Sequence, residues 1–118
     1  MPRSILLRLC DIRDAIAGIQ DLAANVAFDG FATNWAMQRA VERGLEIISE
    51  ASRHVPPDLQ MLAAEIPWRQ IAAIGNLLRH QYQRADTAAT WNVINEHLPP
   101  LADAIDLLIA EVERRERG

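Results

Sequence analysis

Lysine is absent from this chain, and all of its 12 basic residues are Arg. Arg pairs bidentately with phosphate or carboxylate, where lysine offers a point charge, although a bias in the coding sequence is the plainer source of that absence. Cysteine is nearly absent too: the single Cys10 cannot close an internal disulfide or build a cysteine metal site, and its place in an apolar helical pattern reads as a small core residue. The five glycines form neither a phosphate-cradling loop nor a G-x-S-x-G elbow. No spaced Cys/His set occurs, so no metal or cofactor is expected. Long apolar runs are also missing; Leu107 to Ala110 is far too short to span a membrane. The first residues carry Arg8, Asp11, Arg13 and Asp14 instead of a signal core, so a cytoplasmic protein is expected.

What is present is a chain of 118 residues, 50% apolar, enough for one hydrophobic core and one domain over 1–118. The net charge of −4 excludes a protein that coats nucleic acid through a broad positive field. Charge is unevenly placed, however: Pro67 to Ala85 holds Arg69, Arg79 and Arg84 and no acidic residue.

Helical periodicity dominates and no strand alternation competes with it, so the expected class is all-α, a four- to five-helix up-and-down bundle. Ile5, Leu9, Ile12, Ile16, Ile19 and Ala23 form one apolar stripe, with Ser4 as its cap. Asn25 to Thr33 carries the turn signal Asp29-Gly30 and reads as a loop pinned by Phe28 or Phe31. A second helix begins near Thr33 or Asn34, runs towards Arg53 and buries Met37, Val41, Leu45 and Ile48, with Gly44 marking close helix contact. Pro56-Pro57 ends it, and a short helical turn is expected around Leu59 to Ala64. Pro67 opens the third helix as its first residue, with Trp68, Ile71, Ala72, Ile74 and Leu78 inward and His80 near its end. Asp86 or Thr87 caps a fourth helix burying Trp91, Ile94 and Leu98, which Pro99-Pro100 interrupts. A last helix buries Leu101, Ile105, Leu108 and Val112 before the charged tail Glu111 to Arg117. Trp35, Trp68 and Trp91 all read as core residues.

The third helix carries the chemistry. Histidine, with an ordinary pKa of about 6.5, both takes and gives protons near neutral pH. Metal-free RNA cleavage needs both acts: a base removes the ribose 2′-hydroxyl proton, and an acid protonates the leaving 5′-oxygen. One imidazole does not readily do both at once, whereas a symmetric dimer brings two copies of His80 together. Asn76, four residues earlier and about 40° around the helix, is placed to orient the imidazole or contact phosphate. Arg79, Arg84 and Arg69 are candidate phosphate ligands. Tyr82 lies about 200° from His80 on an unbroken helix. On spacing alone such a His is more often structural or solvated, and His54 and His97 read as surface residues near helix ends.

Ile66-Pro67-Trp68-Arg69-Gln70-Ile71-Ala72, followed by Asn76, His80 and Tyr82, resembles the HepT-like branch of the HEPN domains. Ala40 to Ala51, Thr90 to Ile94 and Leu98 to Leu101 are similar to the same branch, so the resemblance spans essentially the whole chain. It implies a HEPN-like bundle that dimerises symmetrically and acts as a metal-independent endoribonuclease toxin. The implied partners are RNA and a minimal nucleotidyltransferase antitoxin of a type VII pair, which adds adenylate to the motif tyrosine. Carried onto this chain, His80 is catalytic, Asn76 is the polar motif residue and Tyr82 the modified one. One position departs: the family pattern has an Arg directly before the polar residue, where this chain has Gly75, while Arg79 stands next to His80. Two other readings stay open, a catalytically weak helical module that keeps the nucleotidyltransferase partner, and a nucleotide-binding regulatory domain.

Overall fold

A computed structural model describes residues 4–80 and 84–118, and at residues 76, 77, 79, 80 and 84–86 the backbone alone. All regular structure among the described residues is helical: α1 (Ile5–Ala23), α2 (Phe28–Ala32), α3 (Trp35–Ser52), α4 (Pro57–Met61), α5 (Trp68–His80), α6 (Arg84–Asn92), a π-helical turn (Val93–His97) and α7 (Leu98–Arg117). The expected all-α bundle is what forms.

Local signals explain most of the boundaries. The Ser4 hydroxyl accepts the Leu7 N–H at 3.1 Å and starts α1. The helix then buries Leu9, Ile12, Ile16 and Ile19 at steps of three and four. Asn25, at φ 61°, turns the chain out of α1 in the left-handed region that Asn tolerates. The Asn34 side chain accepts the Met37 N–H at 2.9 Å and starts α3, which buries Val41, Leu45 and Ile48 but leaves Met37 half-buried. Close contact at Gly44 is real: a Cβ there would lie 2.7 Å from Ile19 Cδ1.

Five expectations about where elements lie or begin change. The segment from Asn25 to Thr33 is not all loop, since α2 forms within it; buried Phe31 pins it, its ring 5.0 Å from that of Trp91. The turn after the diproline starts at Pro57 instead of Leu59, because proline's fixed φ suits a first helical position. The fifth helix begins at Trp68, one residue after Pro67. Asp86 and Thr87 lie inside α6 and do not precede it, in a segment where Ala85, Ala88 and Ala89 favour helix. Pro99 and Pro100 do not interrupt: they sit in the first turn of α7, where missing N–H groups are harmless, and the wider π turn just before them accommodates their rings.

Trp35 corrects the reading of the tryptophans. It is the first residue of α3, off the apolar stripe, and it is 71% exposed with the Arg39 guanidinium 5.6 Å above its ring. Trp68 is buried and Trp91 half-buried, as expected.

α3 packs against both α1 and α5, while α7 packs against α1. Between α5 and the π turn with the start of α7 lies a groove of about 600 Å³. The core therefore centres on α1, α3 and α7, and α5 is held mainly along its α3 side.

Candidate functional site

α5 is anchored first at its start. The Trp68 indole N–H donates to the Ala63 carbonyl at 3.1 Å and the Gln60 carbonyl at 3.3 Å, tying the helix to the turn that precedes it. Trp68, Ile71 and Gly75 are buried, and Ile74 and Leu78 pack against the core from half-buried positions. Arg69, Gln70 and Ala73 are exposed. Helical geometry places positions 69, 73, 76 and 80 within about 60° of one another, on the face of α5 that carries the exposed Arg69 and Ala73. Arg69, Asn76 and His80 thus share one helix face as backbone positions, with His80 as the last residue of α5. Position 79 falls about 100° from 80, on the flank that turns towards α3.

The side chains of Asn76, Arg79, His80 and Arg84 lie outside the described residues, and Tyr82 lies outside them altogether. Arg84 opens α6. His54 and His97 are exposed, as expected; His54 follows the end of α3, with a ring nitrogen 3.3 Å from the Glu50 carboxylate, whereas His97 lies not near a helix end but where the π turn passes directly into α7.

Two residues that the sequence did not mark meet α5 beside the motif. The Ser49 hydroxyl donates to the Ala72 carbonyl at 2.7 Å and accepts the Gly75 N–H at 3.1 Å. From the end of α3, Arg53 places Nε at 3.2 Å and a terminal nitrogen at 2.9 Å on the same carbonyl, and pairs with Glu50 at 3.3 Å. Ala72 is accordingly half-buried at the α3 side instead of fully inward. At Gly75 a Cβ would sit 3.2 Å from the Ser49 oxygen, so position 75 is small because α3 occupies the space beside it. The available signal was Gly75 itself: a glycine on the buried stripe of a helix marks close approach.

On the other flank of α5, the groove is lined by Ile66, Ile71 and Ile74 and faced by Val93, His97 and Pro100. Its walls are apolar, with the polar groups Glu65, Gln70 and His97 contributing to the lining. Among the described residues no three His, Cys, Asp or Glu side chains are grouped so as to hold a metal ion. No helix among them is long and apolar enough to cross a membrane.

Compared with known proteins, residues 12–108 match the model of the family described as "Ribonuclease HepT-like". A Thermococcus cleftensis protein described as "Probable ribonuclease HepT" is 37% identical over 108 residues, covering 92% of this chain and 98% of that one. A Methanocaldococcus jannaschii protein described as "Putative RNase MJ1380" is 26% identical over 106 residues, covering 90% of this chain and 97% of that one. No solved structure matches the chain.

Proposed function

The chain belongs to the ribonuclease HepT-like family, and on that premise we propose that it is a metal-independent endoribonuclease whose site is built on α5. The observation that carries this reading is the single helix face shared by positions 69, 76 and 80 on a helix that lies wholly within the family match. His80 transfers protons, Asn76 orients its imidazole, and Arg79 with Arg84 holds the phosphate, while Arg69, eleven residues and about 16 Å earlier along α5, holds a phosphate further along the RNA. A base removes the 2′-hydroxyl proton and the 2′-oxygen bonds to phosphorus. The P–O5′ bond breaks, and the leaving oxygen takes a proton from the conjugate acid. The products are a 2′,3′-cyclic phosphate end and a 5′-hydroxyl end. Arginine supplies the preorganised charge for the phosphorane oxygens.

The same reading makes the protein a cytoplasmic toxin that works as a homodimer. Its antitoxin is a minimal nucleotidyltransferase that adds adenylate to Tyr82, blocking the phosphate site by charge and bulk. Expression of the wild type is expected to arrest growth and cleave RNA, and His80→Ala to do neither; equal behaviour of the two overturns the assignment. Co-expression with the antitoxin is expected to add an adenylate mass that maps to Tyr82.

A second reading, a helical partner module with little activity of its own, is favoured by Gly75. A Cβ there would lie 3.2 Å from the Ser49 oxygen, so an Arg at this position would require Ser49 to shift by a few tenths of an ångström. Purified protein that binds the nucleotidyltransferase but leaves RNA intact would establish it.

A further inference from the structure

The interface between α3 and α5 is not wholly apolar. Ser49 and Ser52, 1% and 2% exposed, are the buried polar residues among those described. Ser52 satisfies itself inside α3 by donating to the Ser49 carbonyl at 2.8 Å. Ser49 reaches across to α5 and uses its hydroxyl in both senses, towards Ala72 and Gly75. Arg53, one turn further along α3, reinforces the Ala72 carbonyl. In a regular helix the Ala72 carbonyl faces the Asn76 N–H and the Gly75 N–H faces the Ile71 carbonyl; Ser49 and Arg53 bring side-chain partners from α3 to these same two groups and grip α5 from outside.

We propose that Ser49 is a positioning residue for the α5 site: with Arg53 as second point of attachment, it sets the register and rotation of the Ala72 to Asn76 turn on α3. Aliphatic contacts such as those of Ile71 and Ile74 tolerate small slides and rotations. Hydrogen bonds are directional, and a hydroxyl shared between a carbonyl and an N–H three residues apart defines both. His80 follows Gly75 by five residues, about 7.5 Å along the axis, so a rotation at Gly75 is carried directly to the imidazole. Gly75 is the matching half of the device, since only hydrogen fits easily against the Ser49 oxygen at that distance.

The proposal rests on the ribonuclease reading for its effect on turnover, but not for its structural effect, and the two are tested side by side on the full chain. Amide hydrogen exchange by NMR and cleavage of a synthetic oligoribonucleotide are measured for the wild type, Ser49→Ala, Ser49→Thr, Arg53→Ala and His80→Ala. Ser49→Ala is expected to speed exchange through residues 72–80 by about tenfold while α1 and α7 are unchanged. It is also expected to lower kcat by about tenfold, with KM within about twofold. Ser49→Thr, which keeps the hydroxyl, restores both, and Arg53→Ala, which removes no buried group, shows a smaller change in the same direction. Unchanged exchange around Gly75 in Ser49→Ala overturns the proposal, as does loosened exchange with wild-type kcat or an even loss of protection in every helix. If the wild type cleaves no better than His80→Ala, the ribonuclease reading falls, and the exchange comparison still decides whether Ser49 holds the turn.

Discussion

Gly18 and Gly44 both sit in helix interiors, with opposite surroundings. A Cβ at Gly18 would meet nothing within 4 Å, so Gly18→Ala gains helix propensity and is expected to stabilise the fold by about 0.4–1 kcal/mol. At Gly44 the added carbon meets Ile19 Cδ1 at 2.7 Å and Cγ1 at 2.8 Å, and Gly44→Leu is expected to cost about 1–3 kcal/mol through overpacking. Urea unfolding of both variants checks the pair, and a Gly44→Leu protein as stable as the wild type would show that the Ile19 side chain or the α1–α3 spacing gives way at little cost. Composition cannot tell these two glycines apart. Gly44 was legible as a contact because a glycine inside a helix lowers helix propensity and so marks close approach, whereas the meaning of Gly75 needed Ser49, a residue 26 positions away.

Among the elements, α7 is tied to α4 by charge. Arg115 bonds Asp58 at 2.8 Å and Glu111 at 3.0 Å, while Arg114 bonds Glu111 at 2.6 Å. Hydrogen bonds from Arg114 first, then Arg115, draw the Glu111 carboxyl from its ordinary 4.5 down to about 2. The Arg115 hydrogen bond lowers that of Asp58. A depressed acid stabilises the fold fully above its unfolded pKa and loses that contribution as pH falls through its folded value. The melting temperature of the wild type is therefore expected to exceed that of Glu111→Gln at pH 7, with the gap closing between pH 4.5 and about 2. High salt should shrink the gap at every pH, since the pairs are solvent-exposed. A gap at pH 2 as large as at pH 7 would remove ionisation of Glu111 as its cause. The i,i+3 and i,i+4 spacing of Glu111, Arg114 and Arg115 was readable along the chain, but the Asp58 contact spans 57 positions and appears only when α4 folds against α7.

At the scale of the whole molecule, α6, the π turn and α7 follow one another without a break over 9, 5 and 20 residues. At about 1.5 Å per residue they span about 50 Å, comparable with the 49 Å long axis. The diproline was expected to separate two helices, since proline lacks a donor; the π turn removes that conflict and the helical path continues. For the proposed dimer, the demand for a base and an acid makes a sharp prediction. If each site uses His80 from both copies, exchanging wild type with rising amounts of His80→Ala lowers cleavage as the square of the wild-type fraction. A linear fall means that each copy works alone.

Apolar spacing, caps and prolines determined by themselves that this chain is a helical bundle. They also placed Asn76 and His80 on one face of a helix, because helix geometry is local and its period is written every three or four residues. Tertiary structure decided what meets that helix: the Ser49 and Arg53 bonds behind Gly75, the groove on its other flank and the exposure of Trp35. Those outcomes depend on contacts between residues far apart in sequence, for which no local period exists.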